Sequence, residues 1–428
     1  MTKHTSNRKF ARVALALIGL ATIALGISTA QGDDEILIWT DSARLPGYQL
    51  YQKTHPDVKV RIVTIDFNDF KNRINLFNKA GSGWPDVVFT PGPADVTILS
   101  QPEVNYTADL TPLISSDVIG KFAKNSLDGC RTGKKLYCLR NDLAQVVLWY
   151  NAKTMKDFGY NVPKTWEEYE ALGLKVAKEH PGYVVGAAGD NGMAEMYFHG
   201  GACPITQKVG SSGNTVRVNF NDPKCVRVAK MLDNLLAAGA VTKAGPFEAD
   251  FVKLGTENKI LMLPAANWFG EFVFKPTYKT PSGQLSAAMP LRWANQKVAT
   301  TFGWGGGAYF VSTHAKNPKA AADVITWMST SPDYQADAPT FPAYLPAADV
   351  WAKKIREDKY YASDIYPVFR EAASMIVNNF TRYNVPNVFG KFYIPAVKEG
   401  KSIVAALPDL QTELVNAAKV AGYTVITK

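Results

Sequence analysis

A tryptophan placed among glycines is the feature of the sequence that says most about chemistry. Trp304 stands in the run Gly-Trp-Gly-Gly-Gly at 303–307, directly before the apolar residues 308–311. Glycine allows positive φ angles and lets another surface approach the peptide groups closely. The run has neither the Lys and Ser/Thr of a Walker loop nor a Gly-x-Gly-x-x-Gly fingerprint, so it does not indicate nucleotide binding. A packed loop and a ligand-binding wall both remain open.

Carboxylates, amides and aromatic rings recur where predicted strands end, and this combination is typical of a sugar site. A sugar presents apolar C–H faces to a ring such as Trp268 or Trp304, and its hydroxyls need oxygen acceptors. Asp41, Asp142 and Asn191 would supply those acceptors, and ionised carboxylates accept the stronger hydrogen bonds. Convergent polar groups on an apolar wall are what a small-molecule site requires.

The N-terminal part of the chain predicts the elements that would position these side chains. Apolar, β-branched runs at 36–39, 58–65 and 85–89 predict strands, and residues 45–55 and 68–80 between them predict helices. Alternating strands and helices indicate an α/β lobe with a parallel sheet. Ligands bind beyond the carboxyl ends of such strands, where the sequence places Asp41, Ser42, Asp66, Asn68 and Thr90.

Further along, three sequence signals predict where helices begin. Thr165 and Glu168 form a capping box that opens a helix reaching about 178. Asp222 followed by Pro223 begins a helix that ends at 239, and Asn317 caps another helix with proline at its first position. A short strand at 259–263 runs towards Trp268.

The first thirty residues read as an export signal, with a basic start, an apolar run at 13–27 and a small-residue cleavage site before Gln31. A retained signal anchor is the alternative. Removing the four basic residues of this segment leaves 43 basic against 38 acidic residues, so the charge falls from +9 to +5. No Lys/Arg-rich run follows, which argues against a nucleic-acid partner. About 400 residues exceed a single core, so two lobes are expected.

The exported chain keeps four cysteines, Cys130, Cys138, Cys203 and Cys225. Three disulfide connectivities are possible, and we predict the two local pairs, 130 with 138 and 203 with 225, because short loops close most readily. A zinc site is the rival interpretation. The chain contains no Cys-x-x-Cys, and His199 is the only histidine near a cysteine, so no metal or other cofactor is expected.

Taken together, the sequence resembles extracellular solute-binding proteins of ABC importers, in the carbohydrate branch that includes maltose-binding protein. The resemblance spans nearly the whole mature chain, and the blocks at 140–170 and 303–328 are its specific parts. The segments that carry it are ILIWTD at 36–41, PDVVFTPG at 85–92, the run at 140–170, AANWFG at 265–270 and the run at 303–328.

The resemblance implies two discontinuous α/β lobes joined by a hinge of several crossings that closes over the ligand. The lobes would comprise 31–143 with 306–352 and 144–305 with 353–428, after the signal peptide at 1–30. Crossings would fall near 141–145, near 301–306 and at about 350. The implied ligand-binding residues are Asp41, Ser42, Arg44, Thr90, Asp142, Asn191, Trp268, Trp304, Gly305, Gly306 and, by a loose match that Phe392 could also fill, Tyr393.

The resemblance also implies a non-catalytic, periplasmic, monomeric receptor that binds a carbohydrate and docks on membrane permease subunits. Two alternatives stay open. The same fold could bind a phosphorylated polyol, such as glycerol 3-phosphate or its diesters, through Arg44, Arg140 or Arg292. An exported glycan hydrolase would instead need two carboxylates flanking the scissile bond.

Overall fold

A computed structural model describes residues 35–428 except 211, 212, 378 and 379. The predicted export signal at 1–30 lies outside the described residues. Within the described part of the chain, no helix combines the length and apolar character needed to cross a membrane.

The chain begins with the alternating strands and helices that its sequence predicts, and each element starts within a few residues of the predicted position. The elements up to residue 140 are β1 (Ile36–Thr40), α1 (Leu45–Thr54), β2 (Val60–Thr64), α2 (Phe67–Ala80), β3 (Val87–Thr90), α3 (Pro93–Leu99), α4 (Ser116–Gly120), β4 (Arg131–Thr132), β5 (Lys135–Leu136) and β6 (Leu139–Arg140).

A second set of elements follows, in which the strands are short and the helices lie between them. These are β7 (Val146–Asn151), α5 (Ala152–Asp157), α6 (Trp166–Glu179), β8 (Gly186–Ala187), α7 (Asn191–Gly200), β9 (Gln207–Lys208), β10 (Thr215–Arg217), α8 (Pro223–Ala237), β11 (Val241–Thr242), α9 (Ala249–Thr256), β12 (Met262–Ala266) and β13 (Leu285–Ala288).

The remaining third returns once to the first sheet and is otherwise mostly helical. Its elements are β14 (Ala308–Val311), α10 (Pro318–Thr330), α11 (Pro332–Gln335), α12 (Leu345–Asp358), α13 (Tyr366–Ala373), α14 (Val385–Glu399), α15 (Ile403–Val420) and β15 (Thr424–Ile426).

The first lobe is built on a sheet in the order β2-β1-β3-β14-β6. The first three strands are parallel, as predicted, whereas β14 runs antiparallel to both β3 and β6. The sheet is therefore mixed, because β14 enters it from the second lobe and not through a crossover helix. The carboxyl ends of β1 and β3 reach the same edge, which carries Asp41 and Thr90.

The second lobe contains three smaller sheets, in the orders β12-β7-β13, β11-β8 and β15-β10-β9. The strand predicted at 259–263 instead runs from Met262 to Ala266, because its pairing with β7 extends to Val146. The capping box that opens α6 is confirmed: Thr165 accepts from the Glu168 N–H, and the Glu168 carboxylate accepts from the Thr165 N–H. Asn317 and Asp222 also cap helices as predicted.

Two segments that connect the first sheet with the β12-β7-β13 sheet and with the residues after it lie side by side and hydrogen-bond to each other. They run antiparallel, with Gln145 opposite Gly303. The bonds between them join Asn141 N to Gly307 O (2.7 Å), Trp304 N to Ala144 O (3.0 Å) and Val146 N to Phe302 O (2.9 Å). A third segment meets the first of these where Ala343 N donates to Asn141 O over 3.0 Å.

Both predicted disulfides are confirmed. Cys130 bonds to Cys138 and Cys203 bonds to Cys225, with Cα–Cα distances of 5.0 and 4.8 Å. These distances lie within the range that a disulfide spans. The second bridge ties the C-terminal end of the α7 region to the first turn of α8, so it supports the helix that faces the cavity described next.

Candidate functional site

A cavity of about 460 Å³ lies between the two lobes. Its walls come from the turn after β3, the start of α7, the crossing at 302–305 and the segment that leads into α14. We call it the interlobe cavity; its lining consists of Gly92, Ala94, Asp190, Asn191, Gly192, Glu195, Phe247, Phe302, Gly303, Trp304, Gly305, Val377, Phe380, Thr381, Tyr383, Val385 and Pro386. The predicted residues that it brings together are Asn191, Trp304 and Gly305.

Trp304 is seated directly on the first turn of α7. A Cβ built on Gly192 would lie only 2.0 Å from the Trp304 ring, so no side chain fits at that position while the ring stays in place. The Trp304 backbone is fixed as well, since its N–H donates to Ala144 O over 3.0 Å. The indole is therefore a positioned wall of the cavity, and the glycine at 192 has a steric reason.

Trp268 supports this wall from behind and is not itself part of the cavity lining. Its indole N–H donates to Trp304 O over 2.8 Å, and the two rings lie 5.6 Å apart at 62°. Phe247 lies parallel to Trp268, with ring centroids 6.3 Å apart.

A single turn of π-helix at Gly270–Phe274 follows Trp268 directly and leads the chain away from β12. Such turns are frequent at functional sites.

The glycines after Trp304 are required by the backbone. Gly305 and Gly306 have φ angles of 93° and 86°, which L-residues with a side chain rarely adopt. A Cβ on Gly306 would also lie 2.0 Å from Nη2 of Arg140. Gly305 thus faces the cavity, whereas Gly306 lies against the buried guanidinium beneath it.

Helix α7 begins at the cavity because Asp190 caps it. The Asp190 carboxylate accepts from the N–H groups of Gly192 (2.7 Å) and Met193 (3.3 Å). Burial raises the pKa of Asp190, although these two hydrogen bonds oppose the shift. Asn191 follows, and its buried Oδ1 has no hydrogen-bond partner among the described residues. The cavity wall therefore contains an unused acceptor.

Two further titratable groups lie on the inner face of α7. Glu195 is only 8% exposed and lines the cavity. Burial, together with the charge of Asp190, raises the pKa of Glu195 to about 8. One turn later His199 stacks on Phe302 at 4.8 Å, and burial lowers the pKa of His199 to about 3. At neutral pH His199 is therefore uncharged.

The first-lobe residues predicted for the site form a separate cluster at the edge of the first sheet. Arg44 pairs with Asp41 over 3.0 Å and lies over the Phe89 ring at 4.4 Å. Burial by itself would lower the pKa of Arg44, but the charges of Asp142 and Asp41 outweigh it and raise that pKa. Asp142 also accepts from the Gly307 N–H over 2.7 Å. These side chains bind one another or the backbone at Gly307, and they are not part of the cavity lining.

The other predicted residues take different positions. Thr90 is buried and donates to Asp95 over 2.6 Å, while Ser42 is exposed at the same edge of the sheet. Tyr393 is fully buried in α14, with its ring 5.8 Å from Phe389. A direct ligand contact by any of them stays a prediction.

Sequence reasoning missed several residues of the cavity lining, above all Asp190 and Glu195. Phe247, Phe302 and Tyr383 were also missed. A signal for Glu195 was present, because it is the only carboxylate in the otherwise apolar helix NGMAEMYFHG. Its position one turn after Asn191 places both on one face of α7.

The comparisons with known proteins agree with this architecture. The chain is 24% identical over 376 residues to an arabinooligosaccharide-binding protein of Bacillus subtilis, covering 82% of this chain and 84% of the relative. The galacto-N-biose-/lacto-N-biose I-binding protein of Bifidobacterium longum superposes with a TM-score of 0.73 at 20% identity, covering 92% of this chain and 98% of that chain.

The sugar-binding protein MalE from Xanthomonas citri superposes with a TM-score of 0.71 at 15% identity, covering 90% of this chain and 98% of that chain. At these identities, the two structures show that the fold is shared. The sequence profile of bacterial extracellular solute-binding proteins matches residues 38–336, well over half of the chain. The chain therefore belongs to the bacterial extracellular solute-binding protein family.

Proposed function

We propose that this chain is a non-catalytic receptor that captures a carbohydrate between its two lobes and delivers it to an ABC importer. The observation that carries the proposal is the Trp304 ring, held on Gly192 and backed by Trp268, beside the unpaired acceptor of Asn191. An aromatic plane next to oxygen acceptors matches the apolar faces and hydroxyls of a sugar. The carbohydrate ligands named for the relatives support the same substrate class.

The hinge at 141–145 and 301–306 is part of this proposal. The hydrogen-bonded crossings support it, because they connect the first sheet with the second at the same place and run in opposite directions. The third crossing stays predicted at about 350, within α12. The residues before this helix still pair with the first lobe, Pro342 with Asp142 and Tyr344 with Phe122. The lobes would keep the predicted bounds of 31–143 with 306–352 and 144–305 with 353–428.

The phosphorylated-polyol alternative is not supported by the positions of its three arginines. Arg44 is paired with Asp41, and Arg140 is buried beneath Gly306. Arg292 lies beside a different cavity and donates to Gln296 O over 2.8 Å. The lining given above for the interlobe cavity contains acidic side chains and no basic one, which disfavours a phosphate.

The hydrolase alternative is also disfavoured by geometry. The two carboxylates of the cavity, Asp190 and Glu195, belong to the start of one helix and therefore approach a ligand from the same wall. Glycosidases place their carboxyl groups on either side of the scissile bond. Asp190 is moreover engaged in capping α7. A receptor role accounts for both residues without a reaction.

Calorimetric titration with a panel of neutral mono-, di- and trisaccharides, including arabinose and galactose oligomers, tests the proposed function. We expect at least one sugar to bind, and Trp304→Ala to weaken that binding tenfold or more, since a ring contact contributes about 1 kcal/mol beyond buried area. The matched control is Trp84→Ala, which removes a tryptophan stacked on His314 outside the cavity. If no heat of binding were measured with any sugar of this panel, nor with amino sugars added to it, the carbohydrate assignment would be excluded.

Export to the periplasm, docking on permease subunits and a monomeric state complete the proposal. Light scattering after gel filtration should give the mass of one chain. Stimulation of ATP hydrolysis by the cognate transporter in vesicles, only when the sugar is present, would test delivery.

A further inference from the structure

Glu195 is a buried carboxyl group that has no hydrogen-bond or ion-pair partner among the described residues. It is 8% exposed and lines the interlobe cavity. Its carboxyl group makes no hydrogen bond or ion pair with the residues that the structure describes, and the charge nearest to it is that of Asp190. An ionised carboxylate in such a place is strongly disfavoured unless a positive charge or several donors face it.

The surroundings of Glu195 supply negative charge, and the arginines next to the cavity lining are engaged elsewhere: Arg140 lies over the Phe380 ring, and Arg382 donates to Gln101 and lies over Tyr423. Asp190 lies on the same cavity wall. His199 on the same helix is neutral, and the Lys398 ammonium on α14 is paired with Glu248 over 2.6 Å. Of the other titratable groups on packed elements, Tyr393 and Tyr197 are uncharged phenols, and Asp233 on α8 caps α15.

The remaining walls are also of the type that favours a cation. Aromatic faces carry a negative quadrupole and attract ammonium groups. The cavity lining contains five aromatic side chains, namely Trp304, Phe247, Phe302, Phe380 and Tyr383, of which Phe380 already has the Arg140 guanidinium over its ring at 5.7 Å. Neutral sugars pack on such rings too, so the aromatic walls alone do not discriminate. The acidic wall beside them does.

We propose that the interlobe cavity takes a carbohydrate that carries a protonated amine, with the ammonium bound by Glu195 and the sugar ring packed against Trp304. This inference rests on the proposed function and specifies its ligand class. An ammonium has three donors. Asn191 and Glu195 lie one helical turn apart on the same face of α7, with about 5–6 Å between their Cβ atoms, so the Asn191 amide lies beside the ammonium site.

Amine binding should be linked to proton release. Burial and Asp190 raise the pKa of Glu195 to about 8, so the carboxyl is largely protonated in the free protein at pH 7. A bound ammonium favours the ionised form. Glu195 then loses its proton to solvent while the ligand keeps its own charge, and up to one proton leaves per ligand bound. A neutral sugar leaves Glu195 protonated and releases none.

The test is calorimetric titration of the full mature chain at pH 7 with glucosamine, galactosamine and a β-1,4 glucosamine disaccharide, each beside its N-acetylated form. N-acetylation removes the charge and keeps the sugar. We expect the amine form of at least one pair to bind tenfold or more tightly. Its apparent enthalpy should differ between phosphate and Tris buffers by the difference between the ionisation enthalpies of the two buffers, multiplied by the number of protons released.

Glu195→Gln should lower amine affinity at least tenfold, abolish the buffer dependence and leave the N-acetylated form within about threefold. Gln replaces the neutral acid at nearly equal size, and unfolding curves would confirm that the fold is kept. Asn191→Ala serves as a second, milder variant with an expected loss of a few fold. Glu257→Gln, which removes a carboxylate paired with Lys259 outside the cavity, is the matched control and should change nothing.

Equal binding of amine and N-acetylated forms, or an amine preference that survives Glu195→Gln, would overturn this inference. Binding of neutral sugars without any amine preference would overturn it as well and leave the proposed function intact. Absence of binding by neutral, N-acetylated and amino sugars alike would reject both.

Discussion

Gly192→Ala is the most informative single change in this protein, because it adds one methyl group where the structure leaves no room. Its Cβ would lie at 2.0–2.3 Å from three atoms of the Trp304 indole. Ordinary van der Waals contact begins at 3.4 Å, so the ring has to withdraw by roughly 1.4 Å or α7 has to shift. Either movement changes the wall of the interlobe cavity.

The effect on stability should be small because two contributions oppose each other. Overpacking a fixed site costs about 1–3 kcal/mol. Replacing glycine by alanine in a helix stabilises by about 1 kcal/mol, and the backbone at 192 does not have a positive φ. We therefore expect a net loss of about 0–2 kcal/mol, which leaves the protein folded. The loss of the ring contact, about 1 kcal/mol or more, predicts a fivefold to tenfold weaker affinity.

The assay pairs urea unfolding with calorimetric titration of the tightest-binding sugar from the panel. Gly120→Ala is the control, since a Cβ there meets nothing within 4 Å. It should keep wild-type affinity and gain slightly in stability. If Gly192→Ala bound sugar as tightly as the wild type, Trp304 would not be a ligand-binding wall, and the reasoning from its seat on α7 would be refuted.

Three further predictions concern stability. Removing the bridge at Cys203 and Cys225 by a double change to alanine should cost about 3 kcal/mol in urea unfolding, somewhat more than the 2.5 or so expected for the shorter loop at 130–138. Burial lowers the pKa of His199 to about 3. The free energy of unfolding that depends on neutral His199 is therefore fully present above pH 6.5 and is lost as the pH falls from 6.5 towards 3. His199→Phe should make the free energy of unfolding less dependent on pH in this acidic range. Asp142→Ala leaves the buried Gly307 N–H without its acceptor and should cost about 1–3 kcal/mol, whereas an unchanged urea midpoint would contradict that role.

Local signals in the sequence predicted most of the fold. The capping box at Thr165, the caps at Asn317 and Asp222, and the β-branched runs before Asp41 each determine structure through neighbours in the chain. The antiparallel entry of β14 was not predictable in this way, because its partners in β3 and β6 are more than a hundred residues distant.

The site was predicted less completely, since side chains at one sheet edge need not face the same space. A ligand contact by Asp41, Arg44 and Asp142 stays a prediction, and outside the lining of the interlobe cavity Arg44 donates to Asp41 while Asp142 accepts from the Gly307 N–H. Glu195 was hidden by its apolar neighbours, which indicate a core helix. Only the three-dimensional placement of α7 against the cavity shows that this carboxyl group faces an opening.

The paired crossings at 141–146 and 302–307 also restrict how the lobes move. Because the two segments are hydrogen-bonded along their edges, neither can rotate independently of the other, and together they form a two-stranded ribbon. Such a ribbon bends easily out of its plane, which permits hinge closure, and it resists shear within its plane. We therefore expect a hinge motion that carries the start of α7 towards Gly92 and Ala94. Closure then narrows the interlobe cavity without sliding one lobe sideways across the other.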